Sequence, residues 1–159
     1  MKRSHFYLYL TASLGILLLL CLILFPHSVQ AEEDEVHIVI NKRTHRLTIM
    51  LNDTPVAAFP VASGRGNLTP EGEFRIVTKV YEPYYLPKKI PGGHPDNPLG
   101  TRWLGLSIGN GYKYGIHGTN RPHSIGHSVS AGCIRMQNKD VEYLYRHIPL
   151  QTRVIIVNQ

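Results

Sequence analysis

The first hydrophobic block of this chain has no polar face. From Phe6 to Phe25 twenty residues pass without a charge, centred on Leu14-Gly15-Ile16-Leu17-Leu18-Leu19-Leu20, and Pro26 ends the run. A helix that is apolar all round is not a surface helix, and this one is just long enough to cross a bilayer. Lys2 and Arg3 precede it and Val29-Gln30-Ala31 supplies small residues after it. Residues 1–31 therefore read as a signal peptide or an uncleaved membrane anchor. In both cases the basic end stays inside and the remainder is delivered outside.

Beyond Ala31 the pattern changes to the two-residue period of strands. Val36 to Ile40 and Arg46 to Leu51 are β-rich runs joined by a turn over Asn41 to His45, which reads as a hairpin. Val56 to Val61 follows the Asn52-Asp53 turn, and Gly64-Arg65-Gly66-Asn67 makes a loop. Thr69-Pro70-Glu71-Gly72 is a turn signal ahead of Glu73 to Val80, whose alternation fits a half-buried strand. Trp103 to Ile108, Lys113 to His117 and Thr152 to Val157 complete the expected strands.

One segment has the helical period instead. Val141, Leu144, Tyr145 and Ile148 share a face, with Asn138 as the expected N-cap and Asp140 in the first turn. Between strands, Tyr81 to Arg102 carries five prolines and three glycines, so no regular element fits it. Tyr81, Tyr84, Tyr85 and Leu86 give it apolar material, and we read it as a lid or substrate wall. The fold class is thus mainly β, a sandwich or barrel with one short amphipathic helix. The expected organisation is the N-terminal segment 1–31, an acidic linker over 32–35, and one domain over 36–159.

Charge adds a modest constraint. Without Lys2 and Arg3 the 17 Lys and Arg fall to 15 against 11 Asp and Glu, leaving a formal +4. That favours an anionic wall or membrane surface, yet it forms no basic block or stripe of the kind nucleic acid needs. Membrane contact is expected only through the N-terminal segment.

Cysteine usage adds a sharper one. Cys21 lies in the apolar run, so export leaves Cys133 without an intramolecular partner. Cys133 lies in Ser130-Ala131-Gly132-Cys133-Ile134-Arg135, sixteen residues after His117. A thiol of ordinary pKa is only a few per cent thiolate at neutral pH, so a neighbouring imidazole is needed to take its proton and return it to a leaving amine. That is acyl transfer through a thioester. With an ordinary imidazole the rate is expected to fall between pH 8 and pH 5. Gly132 opens space before the thiol, and the N–H groups of Gly132 and Cys133 are candidates for an oxyanion site. Arg135 suits a substrate carboxylate, or else braces the loop through backbone carbonyls. His94, His123, His127 and Cys133 form no recognised zinc spacing, and neither metal nor cofactor is expected.

The ordered set Ile116-His117-Gly118-Thr119-Asn120, Ser124-Ile125-Gly126 and Ser130 to Met136 resembles the catalytic signature of the bacterial L,D-transpeptidases of the YkuD type. The similarity extends to Pro98 to Trp103 and to Asn138-Lys139-Asp140-Val141. Many members carry histidine immediately before the Gly-Cys pair, where this chain has Ala131, so no role is carried to that position. The resemblance implies that Cys133 is the nucleophile, that His117 is the general base and acid, and that the Gly118 carbonyl orients the imidazole. It further implies attack on the bond between an L-diamino acid and D-alanine in a peptidoglycan stem tetrapeptide. The acyl group would pass to an amine as a 3-to-3 cross-link or to water, and carbapenems would acylate the thiol. Two other classes compete: a sortase-like protein transpeptidase, and a non-catalytic wall-binding module. The first would place Thr-Cys at a strand end with its arginine on a later strand; the second has no need of the Gly-Cys and Ile-His-Gly motifs.

Overall fold

The computed structural model describes residues 34–159. The expected signal or anchor segment, Cys21 within it, and Glu32 and Glu33 lie outside the described residues. Asp34 and Glu35 are exposed, as a linker would be, but both are tied down. Asn52 donates to the Asp34 carboxylate (3.2 Å), the Glu35 N–H donates to Asn52 Oδ1 (2.9 Å), and Arg153 meets the Glu35 carboxylate at 3.0 Å.

The described residues form ten strands and one α-helix, besides three single 3-10 turns: β1 (Val36–Asn41), β2 (Arg46–Leu51), β3 (Thr54–Pro60), β4 (Ser63–Gly64), β5 (Gly72–Tyr81), β6 (Arg102–Leu106), β7 (Gly115–His117), β8 (Ser128–Ser130), β9 (Ile134–Arg135), α1 (Asn138–His147) and β10 (Arg153–Val157). Eight strands make one sheet in the order β3-β2-β1-β10-β5-β6-β7-β9, and β4 pairs with β8 beside it. The mainly β expectation with a single helix holds, and the sandwich-or-barrel alternative resolves as one curled sheet. The long strand β5 makes the curl. Its first half pairs with β10 and its second with β6, with a register irregularity between Ile76 and Thr78 where the sheet turns.

Alternation explains the core. Ile38 faces Ile49 and Val154 across two ladders, and Ile40 faces Leu47 and Ile156, all buried. On α1, Val141 and Leu144 are fully buried against the β6 and β7 side of the sheet, with Ile148 just beyond the helix end. Burying each such side chain stabilises the fold by about 1.5–3 kcal/mol. The helix start differs from expectation. Gln137 occupies the N-cap, without a side-chain cap bond, and Asn138 is the first helical residue. Its amide is drawn elsewhere, toward the loop after β7.

Candidate active site

The parallel pairing of β7 with β9 brings the chemical residues together. Ile116 lies opposite Ile134 and His117 opposite Arg135. Both isoleucines are buried in the core, so the two-residue period turns His117, Arg135 and the preceding Cys133 to the other face. The three candidate side chains of the sequence therefore share one side of one strand pair. β9 is only two residues long, too short for periodicity to reveal.

The loop carrying the thiol is clamped by two hydroxyls. Ser130 Oγ accepts from the Gly132 N–H (3.0 Å) and donates to the Cys133 carbonyl (2.6 Å). Thr69, itself buried, donates to the Gly132 carbonyl (2.8 Å) and accepts from the Gly64 N–H (2.7 Å). This corrects the reading of Gly132 as an oxyanion donor: its N–H is committed to Ser130, which leaves that of Cys133. Gly132 is required for another reason. Its φ is +130°, and a Cβ there would stand 2.7 Å from the Tyr114 ring and 3.0 Å from the Leu68 carbonyl.

His117 is buried and its orientation is fixed. Nδ1 lies 2.6 Å from the Gly118 carbonyl oxygen, and since a carbonyl only accepts, Nδ1 carries the proton and Nε2 is left as the basic nitrogen. The Trp103 ring stacks on the imidazole, centroids 5.6 Å apart and planes 18° from parallel, while Trp103 Nε1 donates to the Gly111 carbonyl (2.8 Å). Gly115 makes room for this indole; a Cβ there would come within 2.6 Å of it. Burial is the main reason the imidazole pKa falls to about 4, opposed by the Gly118 carbonyl and reinforced by the Arg135 charge, with the Leu99 carbonyl also opposing.

Burial pushes the Cys133 thiol up, partly offset by the Gly115 amide and then by Arg135. Both members of the pair are thus neutral at pH 7. The thiol makes a long hydrogen bond to the Lys113 carbonyl (3.7 Å), and no hydrogen bond joins it to His117 among the described residues.

Asn138 locks the histidine loop from behind. Its Oδ1 accepts from the Thr119 N–H (3.0 Å) and lies so close to Gly100 and Gly118 that a Cβ on either would come within 2.2 Å of it. Gly118, whose carbonyl aligns the imidazole, is held between this amide and the Gly100-Thr101 backbone.

A cleft of about 420 Å³ runs past Arg135, between Thr119 to Arg121 on one side and the 85–98 segment on the other. The proline-rich stretch is thus a wall, organised from within by the buried Asn97, which donates to the Pro83 (2.8 Å) and Pro91 (3.0 Å) carbonyls. Only part of its apolar material packs. Tyr85 lines the cleft, whereas Tyr81, Tyr84 and Leu86 are exposed, Tyr81 beneath the Arg102 guanidinium at 4.0 Å. Arg135 makes no side-chain hydrogen bond to a backbone carbonyl among the described residues, so the bracing alternative has no contact to rest on.

Sequence reasoning missed Thr69 and Trp103 as parts of the site. Thr69 is 64 residues from the thiol, and nothing local marks it; the lone tryptophan sat in an expected strand, and only its pairing with His117 reveals the stack. His94, His123 and His127 do not gather: among the described residues no three His, Cys, Asp or Glu side chains converge.

Comparison with known proteins gives a consistent picture. Residues 35–156 match the YkuD family model, described as an L,D-transpeptidase catalytic domain. YqjB of Bacillus subtilis (strain 168), named for the L,D-transpeptidases, is 48% identical over 125 residues, which cover 77% of this chain and 71% of that protein. YkuD of the same organism, named likewise, is 43% identical over 121 residues, covering 76% and 65%. Among solved structures, the L,D-transpeptidase from Mycobacterium smegmatis superposes with a TM-score of 0.63 at 21% identity, covering 77% of this chain and 58% of that one. L,D-transpeptidase 3 from Mycobacterium tuberculosis, in complex with a faropenem-derived adduct, gives 0.63 at 19% identity, covering 79% and 61%. The chain thus spans less than two thirds of YkuD and of these structures.

Proposed function

Because the chain belongs to the L,D-transpeptidase family of the YkuD type, we propose that it is a cysteine acyltransferase acting on peptidoglycan stem peptides. Cys133 attacks the carbonyl of the L-diamino acid that precedes D-alanine. As the carbon–sulfur bond forms, the thiol proton passes to His117 Nε2, and the Cys133 N–H faces the developing oxyanion. Collapse of the tetrahedral adduct breaks the bond to D-alanine, whose amine takes the proton from His117, and a thioester remains. An amine from a second stem then attacks, loses its proton to His117, and expels the thiolate, which is reprotonated. The product is a 3-to-3 cross-link; with water as acceptor it is a tripeptide.

The observation that carries this reading is the shared face of Cys133, His117 and Arg135 on the β7–β9 pair, with Nδ1 of His117 fixed by Gly118. Neutrality of both groups supports general-base activation at the moment of attack instead of a standing thiolate–imidazolium pair. Leaving the Lys113 carbonyl is then the first motion of the thiol. The apolar N-terminal run supports action outside the cytoplasmic membrane, at the wall, by a secreted or membrane-anchored protein whose active domain follows residue 35.

Mass spectrometry of muropeptides after incubation with the enzyme tests the reaction. Cross-linked dimer or tripeptide, each accompanied by free D-alanine, is expected. Cleavage of a sorting-signal peptide with the muropeptides untouched would replace this reading with the sortase-like one.

A further inference from the structure

The cleft lined by Arg135, two residues after the thiol, gathers more positive charge than its surroundings balance. Lys88, Arg121 and Arg135 line it, and Asp96 is the one carboxylate among its lining residues. Among the described residues, ion pairs form between Lys42 and Glu71 and between Arg153 and Glu35 or Glu73; none involves Lys88, Arg121 or Arg135. Asp96 pairs with none of the three: its N–H donates to His94 Nδ1 (3.1 Å), and its carboxylate lies 3.9 Å from that nitrogen. Nor do the Arg121 or Arg135 side chains donate a hydrogen bond to the protein among the described residues. The cations also feel one another. Burial first, then the charges of Arg121 and, more weakly, Arg65, make Arg135 easier to deprotonate than an ordinary arginine, partly opposed by Cys133 and Tyr85.

Three cations assembled in a concave site with one carboxylate among its lining residues repel, and an anion that enters relieves the repulsion. The assembly is also built in. Arg121 follows His117 by four residues, and its N–H is held by Thr119 Oγ1 (3.0 Å), which is anchored in turn through Asn138. Arg135 follows the thiol by two residues on the same face. Lys88 comes from the opposite wall, where Tyr85 and Ile90 bridge to each other and fix the loop. The volume suits a few residues of peptide.

We propose that this cleft is a carboxylate-binding subsite for the acyl donor, in which Arg121 and Lys88 act with Arg135 to select donors carrying a free carboxylate over the corresponding carboxamides. It rests on the acyl-transfer reading given above. Two carboxylates of a tetrapeptide donor whose diamino acid is dicarboxylic qualify: the one on the diamino-acid side chain, which stays with the acyl-enzyme, and that of the terminal D-alanine, which departs. Both offer the same chemistry, two oxygens for a guanidinium fork.

Three donors separate the sources: the free-acid tetrapeptide, the same peptide with a side-chain carboxamide, and the same peptide ending in D-alaninamide. Tripeptide and cross-linked product are quantified by mass spectrometry for the full chain and for Arg121→Gln and Lys88→Gln. Both substitutions are at exposed positions. The free acid is expected to exceed one of the two amides by about tenfold in kcat/KM, the scale of a charge-assisted pair in a partly exposed site. That preference should shrink toward unity in Arg121→Gln, weaken in Lys88→Gln, and diminish as salt is raised. The amide that loses activity identifies the carboxylate bound. Equal turnover of all three donors by the unaltered protein, or a preference that survives Arg121→Gln, overturns the subsite. Failure to turn over any of the three would instead remove the acyl-transfer reading beneath it.

Discussion

At the scale of single residues, the site is defined by what burial does to two ordinary titratable groups. His117 is stacked under Trp103 and surrounded by backbone, which makes its charged form costly and takes its pKa to about 4; the same lack of water lifts the thiol of Cys133. The sequence alone put the acid limb of activity between pH 5 and 8, where an unperturbed imidazole titrates. The buried ring moves it. Below its lowered pKa His117 is protonated and cannot take the thiol proton, so kcat/KM should be lost as pH falls through about 4 and be level from about pH 5 to 7. A pH–rate profile on a small donor measures this, the apparent midpoint belonging to the coupled pair. A midpoint near 6.5 would mean the imidazole is hydrated in solution. Cys133 was legible because a lone thiol after an expected export signal needs a purpose. Gly132 was legible as a special position but for a mistaken reason, since its amide serves Ser130 and its value lies in a φ of +130° against Tyr114.

At the scale of elements, the strands that were readable are the six of five or more residues, β1, β2, β3, β5, β6 and β10, together with β7, expected over Lys113 to His117 and found at Gly115–His117. The elements that were not readable are the other short ones around the site. β4, β8 and β9 span two or three residues each, below any window in which a period can be seen, and their identity comes from long-range pairing. The helix was read correctly along its buried face and incorrectly at its first residue. Asn138 was expected to cap α1; its Oδ1 instead accepts from the Thr119 N–H and presses on Gly118 and Gly100, and leaving that part-buried donor unpaired would cost stability. The two roles predict different phenotypes. Loss of a cap would cost about 1 kcal/mol of stability and leave catalysis alone. Loss of the latch in Asn138→Ala should lower kcat by roughly tenfold through a looser Gly118 and misaligned His117, with KM little changed. Steady-state kinetics beside thermal unfolding distinguish them, and a fall in Tm with kcat intact would return Asn138 to a cap.

At the scale of the whole molecule, the chain joins an apolar N-terminal run to one curled sheet whose edge pair, β7 with β9, carries a thiol, an imidazole and a guanidinium on one face, the guanidinium lining a basic cleft. Composition and motif order made the class and the family legible. The cleft was not, because Lys88, Arg121 and Arg135 are far apart in sequence and only the folded 85–98 wall sets them around one space. The central claim is that the thiol of this chain performs acyl transfer with His117 as its base. Release of D-alanine from a disaccharide tetrapeptide, measured for the unaltered protein, Cys133→Ala and His117→Ala, tests it most directly. Each substitution should reduce release by at least about a thousandfold; normal turnover by Cys133→Ala would contradict the account.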